Sequence, residues 1–201
     1  EVETVGADCN FAIALCKNLE EVNKEFSNRI TYGVNLRITP GKEYTEMFTA
    51  FKKANFRFVN IGLESGSMKI RTQVLKRNYS NADIIKTVKV AKECGLRIHV
   101  NVLIGLPEET KEDFNETILC LRECLPDESR LSIFFPYPGT ELYTVCKEKN
   151  LLSGLDGSLE RRKAALDLPT FPRKEIQKEI LEAAKNREIA VNKVHHKQRL
   201  K

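Results

Sequence analysis

Two stretches set polar side chains at regular intervals in apolar runs that end in glycine and acid. They are Phe58–Gly66 (FVNIGLESG) and Ile98–Thr110 (IHVNVLIGLPEET). In the first, Asn60, Gly62 and Glu64 alternate with Val59, Ile61 and Leu63. In the second, His99, Asn101, Leu103 and Gly105 alternate with Ile98, Val100, Val102 and Ile104. Period-two alternation is that of a strand, so each run has one branched face and one face of polar or small residues. Glu64 is the side chain best placed for chemistry. It is a carboxylate at a strand C-terminus, and Ser65-Gly66 behind it let the backbone bend and a ligand approach. Asn60 and Asn101 also read as satisfied buried amides. His99, near the start of its strand, reads as structural, and Arg37 reads as a buried ion-pair partner of Glu3 or Glu64.

The six cysteines are Cys9, Cys16, Cys94, Cys120, Cys124 and Cys146. Several fall at apolar helix positions, and without a secretory signal they read as reduced, buried thiols. Cys120 and Cys124 share one helix turn, but no third ligand lies near them in the sequence, so no metal site is expected from these residues.

The elements that must position these groups follow a strand–helix rhythm. Glu1–Val5 reads as a strand. Asp8 caps a helix whose stripe is Phe11, Leu15, Leu19, Val22 and Phe26. Residues 30–39 read as a strand with Tyr32, Val34, Leu36 and Ile38 on one face, and Tyr44, Met47, Phe48 and Phe51 make the next helix stripe. After the strand through Glu64, residues 67–75 read as a short helix. Ser80 with Asp83 opens another as a capping box, with Ile84, Ile85, Val88 and Ala91 inward and Gly95 as its stop. Phe114, Ile118, Leu121 and Leu125 form the following stripe. A strand is expected over 130–136, a short helix over 139–149, and a terminal helix from Arg173 to about Lys193. Residues 151–170 show no clear period.

Strand then helix recurs five times, which is the pattern of a parallel sheet with right-handed crossovers. A sheet covered on both faces carries continuous apolar strands. Here one face holds Asn35, Arg37, Asn60, Glu64, His99 and Asn101, which would be costly to bury under helices without partners. The pattern therefore favours a partial (β/α) TIM-type barrel, with the branched face outward against helices and the polar face lining a ligand cavity. The chain has 201 residues, of which 41% are hydrophobic and 30% charged, as in a globular domain. No run is long enough to cross a bilayer, and a cytoplasmic location is expected. The formal charge of +5 owes much to residues 193–201, a solvated tail without the interleaved aromatics of a nucleic-acid surface. No specific nucleic-acid or membrane signal is present.

Four ordered phrases carry a family resemblance. They are Ile61–Ser67 (IGLESGS) followed by Arg77, Asn101–Thr110 (NVLIGLPEET), Asp113-Phe114, and Phe134–Tyr143 (FFPYPGTELY). Together, over about residues 1–150, they resemble the radical S-adenosylmethionine (SAM) enzymes, and within them the subgroup that often carries an N-terminal cobalamin-binding domain. The resemblance implies a (β/α)₆ partial barrel, a [4Fe–4S] cluster, reductive SAM cleavage to a 5′-deoxyadenosyl radical, and an electron donor such as flavodoxin or ferredoxin. It implies oxidation or methylation of a small-molecule or peptide substrate that the sequence does not identify. It places Glu64 near the SAM ribose or amino acid moiety, Arg77 near the SAM carboxylate and Asn101 near the ribose. Leu103, Gly105 and Glu108 would fall in the family's Gly-x-Ile-x-Gly-x-x-Glu segment beside the adenine, with Asn101 replacing its first glycine. Phe135 and Pro136 would lie where strand six lines the adenine.

One departure bears on activity. The family's Cys-x-x-x-Cys-x-x-Cys has no match, and Cys120-x-x-x-Cys124 is followed by Pro126 and Asp127. The expectation is therefore a fragment, inactive alone, that lacks strand one and the cluster loop. Residues 1–150 would hold strands two to six, and 151–201 an extension with a helix and a basic tail. Its unpaired edge strand would invite self-association. The alternatives are a cluster-free barrel enzyme of aldolase or synthase type with Glu64 as acid or base, and a non-catalytic SAM-binding scaffold.

Overall fold

The computed structural model describes residue 6 and residues 8–157, 163–183 and 185. The expected strand over 1–5 and the basic tail lie outside the described residues, as does the far end of the terminal helix. The element order is α1 (Cys9–Lys24), β1 (Tyr32–Leu36), α2 (Thr45–Lys53), β2 (Phe56–Glu64), a π-helical turn (Ile70–Val74), α3 (Asn81–Glu93), β3 (Arg97–Ile104), α4 (Lys111–Cys124), β4 (Glu128–Ile133) and α5 (Glu141–Glu148), followed by a helix over residues 173–183. The strands form one sheet in the order β1-β2-β3-β4, and β2 pairs in parallel with both β1 and β3. This is the expected α/β architecture. The chain divides into two compact units, one of Glu1–Val102 with Glu112–Arg130 and the other of Leu103–Lys111 with Leu131–Lys201.

In the first unit the branched strand faces are the core. Val59, Ile61, Leu63, Ile98 and Val100 have no exposed surface, each such burial contributing about 1.5–3 kcal/mol. Helix α2 adds Met47, Phe48 and Phe51. Its rings run in sequence from Tyr44 through Phe48 and Phe51 to Phe56, at centroid spacings of 5.6, 6.2 and 4.7 Å. Helix α3 starts at the expected capping box: Ser80 accepts from the Asp83 N–H, and the Asp83 carboxylate accepts from the Ser80 N–H. Its stop is Gly95, with φ +78°.

Two helices turn a different face inward from the one their apolar residues suggest. On α1 the buried residues are Ala12, Cys16 and Asn23, while Phe11, Val22 and Phe26 are exposed. The small Ala12 and Cys16 let the helix lie close, and Asn23 exchanges two hydrogen bonds with the Ile30 backbone, at 3.1 and 2.8 Å. On α4 the inward face is Asp113, Phe114, Thr117, Cys120 and Cys124, and Leu125 is exposed. Polar anchoring of α4 to the loop after β2, described below, sets that rotation. The short helix expected over 67–75 is present and is π-helical over Ile70–Val74.

In the second unit, residues 163–171, which have no clear sequence period, bury Ala164, Ala165, Leu166, Leu168 and Phe171. Helix α5 is capped by Thr140, whose hydroxyl accepts from the Tyr143 N–H. The last strand ends at Ile133, so Phe135 and Pro136 lie in the irregular segment after it and not in a strand. Each of the two is followed by Pro or Tyr in a Pro-Tyr-Pro sequence, and Pro136 cannot donate to a ladder. No helix among the described residues is long and apolar enough to cross a membrane.

Replacing Ser80 with Ala removes one side of the capping box and is expected to cost about 0.5–2 kcal/mol, read as a lower urea midpoint. The Ser80 backbone N–H, and then its hydroxyl, hold the Asp83 carboxyl below its usual range. The folded chain thus releases that proton more readily than the unfolded one. The contribution is present above the unfolded carboxyl value and fades as pH falls through the folded one. The gap between Ser80→Ala and the parent chain should narrow over the same acidic window.

Candidate functional site

Strand β2 ends in a bulge. Gly62 pairs with Asn101 and Glu64 with Val102, so Leu63 is the extra residue. Bulges re-aim side chains at strand ends. Glu64 sits at φ +60°, and the Ser65 N–H turns back to the Leu63 carbonyl at 2.7 Å. The Glu64 carboxylate folds over Gly62, with Oε1 2.5 Å from where a Cβ on that glycine would lie. It meets Arg77 there, Oε1 to Nη1 at 3.4 Å. Burial raises the Glu64 carboxyl above its usual value, and Arg77 offsets part of the rise. Arg77 also donates to the Tyr79 hydroxyl at 3.3 Å, which donates to the Gly62 carbonyl at 2.8 Å. Tyr79 is buried.

The loop between Glu64 and Arg77 is pinned at both ends. The Gly66 N–H donates to Thr117 Oγ1 at 2.7 Å, and Ser67 Oγ donates to Asp113 at 2.6 Å. Lys69 pairs with the same carboxylate at 3.0 Å. Arg71 Nη1 donates to the Ser65 carbonyl and to Asn81 Oδ1, and Asn81 Nδ2 donates to the Gly66 carbonyl. The Arg77 N–H closes on the Arg71 carbonyl at 2.8 Å.

Below Glu64 on the same strand face runs a polar ladder. Asn60 Nδ2 donates to Asn35 Oδ1 at 2.6 Å, and His99 Nδ1 lies 3.0 Å from Asn60 Oδ1. Because the Asn60 oxygen must accept, the proton is assigned to His99 Nδ1. His99 Nε2 lies 3.7 Å from Glu128. Phe58 stacks on the imidazole at 5.0 Å and crosses Gly33, where a Cβ would fall 2.1 Å from the ring. Burial lowers the His99 pKa, in keeping with a neutral ring.

The structure thus brings together Glu64 and Arg77, with Asn101 opposite Gly62 on β3. Arg37 is exposed, so it is not a buried ion-pair partner; Glu3, one of its two expected partners, lies outside the described residues. In the second unit Gly105 has φ +83° and Glu108 has φ +65°. Glu108 is exposed and pairs with Lys149 at 2.6 Å. The buried acid of that segment is its neighbour: Glu109 Oε2 accepts from the Gly105 and Leu106 N–H groups, at 2.6 and 3.2 Å. Leu103 lies on β3 before it, half-buried. Phe135 packs on Tyr137 at 5.1 Å, and Pro136 is buried. Sequence reasoning missed Tyr79 and Glu109. The signal for Glu109 was an acid just past Gly-Leu-Pro, where strand-end N–H groups need an acceptor. Among the described residues no three His, Cys, Asp or Glu side chains converge as metal ligands.

The sequence model of the Radical SAM superfamily matches residues 8–121, more than half of the chain. The anaerobic magnesium-protoporphyrin IX monomethyl ester cyclase of Cereibacter sphaeroides is 22% identical over 65% of this chain and 21% of its own length. Coproporphyrinogen III oxidase (HemN) from Escherichia coli, a radical SAM enzyme, superposes with a TM-score of 0.59 at 17% identity, over 87% of this chain and 37% of that one. The radical SAM methyltransferase TsrM from Kitasatospora setae, with cobalamin and a [4Fe-4S] cluster bound, gives a TM-score of 0.54 at 20% identity, over 68% and 26%. At these identities the structures establish the fold. The chain spans about a fifth of the length of the curated relatives it matches.

A Cβ on Gly66 would lie 2.4 Å from the Glu116 carbonyl oxygen and 2.5 Å from Thr117 Cα, both backbone. Gly66→Ala is therefore expected to destabilise the chain by about 1–3 kcal/mol, seen as a lower thermal midpoint by circular dichroism. Gly157→Ala, where nothing lies within 4 Å and φ is not positive, should lower it less.

Proposed function

The chain belongs to the radical SAM superfamily, and we propose that within an enzyme of that superfamily these residues supply the part of the barrel that holds SAM. The observation that carries the reading is the paired Glu64 and Arg77 at the C-terminal end of β2, 3.4 Å apart over a glycine. SAM carries an amino acid zwitterion. A carboxylate and a guanidinium side by side offer its ammonium and carboxylate one partner each, through charge-assisted hydrogen bonds. Tyr79 and the Arg71 carbonyl fix where Arg77 begins and ends. Asn101 is proposed for the ribose. When bound, SAM supplies the reactive group and an iron–sulfur cluster the electron, while the protein orients them and excludes water.

The residues present do not fit the cluster itself. The sequence has no Cys-x-x-x-Cys-x-x-Cys, and no three-ligand group occurs among the described residues. Cluster ligands, any cobalamin and the contact for an electron donor such as flavodoxin or ferredoxin are therefore proposed for other parts of the whole protein. Its reaction is proposed as oxidation or methylation.

Equilibrium dialysis of the whole protein against labelled SAM tests the reading. Arg77→Ala should weaken binding tenfold or more, about 1.4 kcal/mol, and unchanged binding would remove the proposal. Anaerobic reconstitution separates enzyme from scaffold: reductive SAM cleavage marks the enzyme, whereas binding without cleavage marks a scaffold.

The raised Glu64 pKa makes a second expectation. The folded chain holds this proton more tightly than the unfolded one. Ionising Glu64 then costs stability as pH rises from the ordinary glutamate value through the folded one. Glu64→Gln should flatten the stability curve in that window, measured by urea titration at stepped pH. SAM binding by the parent should tighten over the same rise.

A further inference from the structure

Arg71 is a guanidinium with no exposed surface. Fully buried arginines are rare unless an anion pairs with them. Its contacts are neutral: the Ser65 carbonyl at 2.7 Å, Asn81 Oδ1 at 2.6 Å, Met68 Sδ at 3.8 Å and the face of Tyr79 at 5.2 Å. Its Nε has no hydrogen-bond partner. Of the buried thiols of α4, Cys120 acts electrostatically on this guanidinium. Cys120 and Cys124 lie on the inward face of α4 with their sulfurs 4.0 Å apart, both buried. The charged and titratable groups that act on Arg71 are Tyr79 and Cys120, and after them Asp83 and Glu116. Asp83 is committed to the Ser80 cap.

We propose that Arg71, Cys120 and Cys124 form a buried oxidant-responsive dithiol site, in which Cys120 is the nucleophile, Cys124 the resolving thiol and Arg71 the counter-charge. The substrate class is a hydroperoxide, the simplest being hydrogen peroxide. The Cys120 thiolate attacks one peroxide oxygen; an S–O bond forms, the O–O bond breaks, and the hydroxide released takes a proton and leaves as water. Cys124 then attacks the Cys120 sulfur. The S–S bond forms, the S–O bond breaks, and a second water leaves, so that two thiols lose two electrons to one peroxide. Residues four apart on an α-helix have Cα atoms about 6 Å apart, within disulfide range, but Cβ atoms about 5–6 Å apart, beyond the roughly 3.5–4.5 Å a disulfide spans. Closing it therefore requires the last turn of α4 (Lys111–Cys124) to unwind. Two ligands alone do not make a tetrahedral zinc site.

The electrostatics agree in direction. The hydrogen bond from Cys124, and then Arg71, lower the Cys120 thiol against its burial and against Glu123, and Cys124 is pushed up. Cys16 and Cys146 are also fully buried, and burial, with Glu20 acting on Cys16 as well, pushes both up to about 11. They serve as internal references. Cys120 shares its helix face with Thr117 and Asp113, which hold Gly66 and Ser67. Closing the disulfide would therefore strain the loop that follows Glu64.

The test is hydrogen peroxide added to the folded full chain over stepped pH. The reaction is quenched with catalase, alkylated under denaturing conditions and mapped by mass spectrometry. A Cys120–Cys124 disulfide should form at least tenfold faster than any oxidation of Cys16 or Cys146. Cys124→Ser should instead trap a sulfenic acid on Cys120 that reacts with dimedone. Arg71→Leu should slow Cys120 oxidation about tenfold at neutral pH and move its pH midpoint upward, and Arg71→Lys should restore part of the rate. Oxidation of Cys120 no faster than that of Cys16, or a midpoint unmoved in both Arg71 variants, would overturn the proposal. Should Arg71→Leu fail to fold, the Arg71→Lys profile and the Cys124→Ser trap still decide it.

Discussion

The Gly66 backbone rests directly on helix α4, with its N–H on Thr117 Oγ1 and no room for a side chain. Much of the first unit follows from that contact. It stops β2, fixes where the loop begins and forces α4 to turn a polar face inward. Asp113 and Thr117 must point at the loop, so Cys120 and Cys124, one and two turns further along, are buried with them. Ile118 and Leu121, the larger apolar residues, are displaced to half-buried positions. A hydrogen bond to a buried backbone group outweighs the gain from a better apolar stripe, because leaving that N–H unmade costs about 1–3 kcal/mol.

Glu64 shows how a carboxylate can be held ready without being exposed. The bulge at Leu63 and the positive φ of Glu64 bend the chain over Gly62. Burial works against the charge and Arg77 works for it. The balance leaves an acid whose state depends on what else enters the site. Tyr79 makes Arg77 a fixed member of that balance, since its hydroxyl ties the guanidinium to the β2 backbone.

Strands were legible because their branched faces repeat at period two, but their ends were not: the strands expected over 30–39 and 130–136 run over Tyr32–Leu36 and Glu128–Ile133. Caps were legible from residue type, at Asp8 and Ser80. Glu64 and Arg77 were legible as charged groups at a strand end, the second through family resemblance. Helix facing was not. Ala12 and Cys16 face inward on α1 because small residues permit close approach, and hydrophobicity gives them less weight than Phe11 or Val22. Tyr79 and Glu109 were hidden for a related reason. Each is chosen by the backbone groups it must satisfy, and those become visible only when the chain is folded.

The ladder of Asn35, Asn60 and His99 acts as a proofreading device. Apolar strand faces of Val, Ile and Leu are nearly interchangeable and tolerate a two-residue slide, which keeps the same face inward. The amides and imidazole do not: any slide between β1 and β2 would carry Asn60 away from Asn35, and a one-residue slip would set it opposite Val34 or Leu36. It would also expose the apolar face. A slip between β2 and β3 would in turn take from His99 the Asn60 oxygen opposite it. Three polar side chains therefore penalise every alignment of the sheet but one, and the strand end that carries Glu64 inherits its position from that choice.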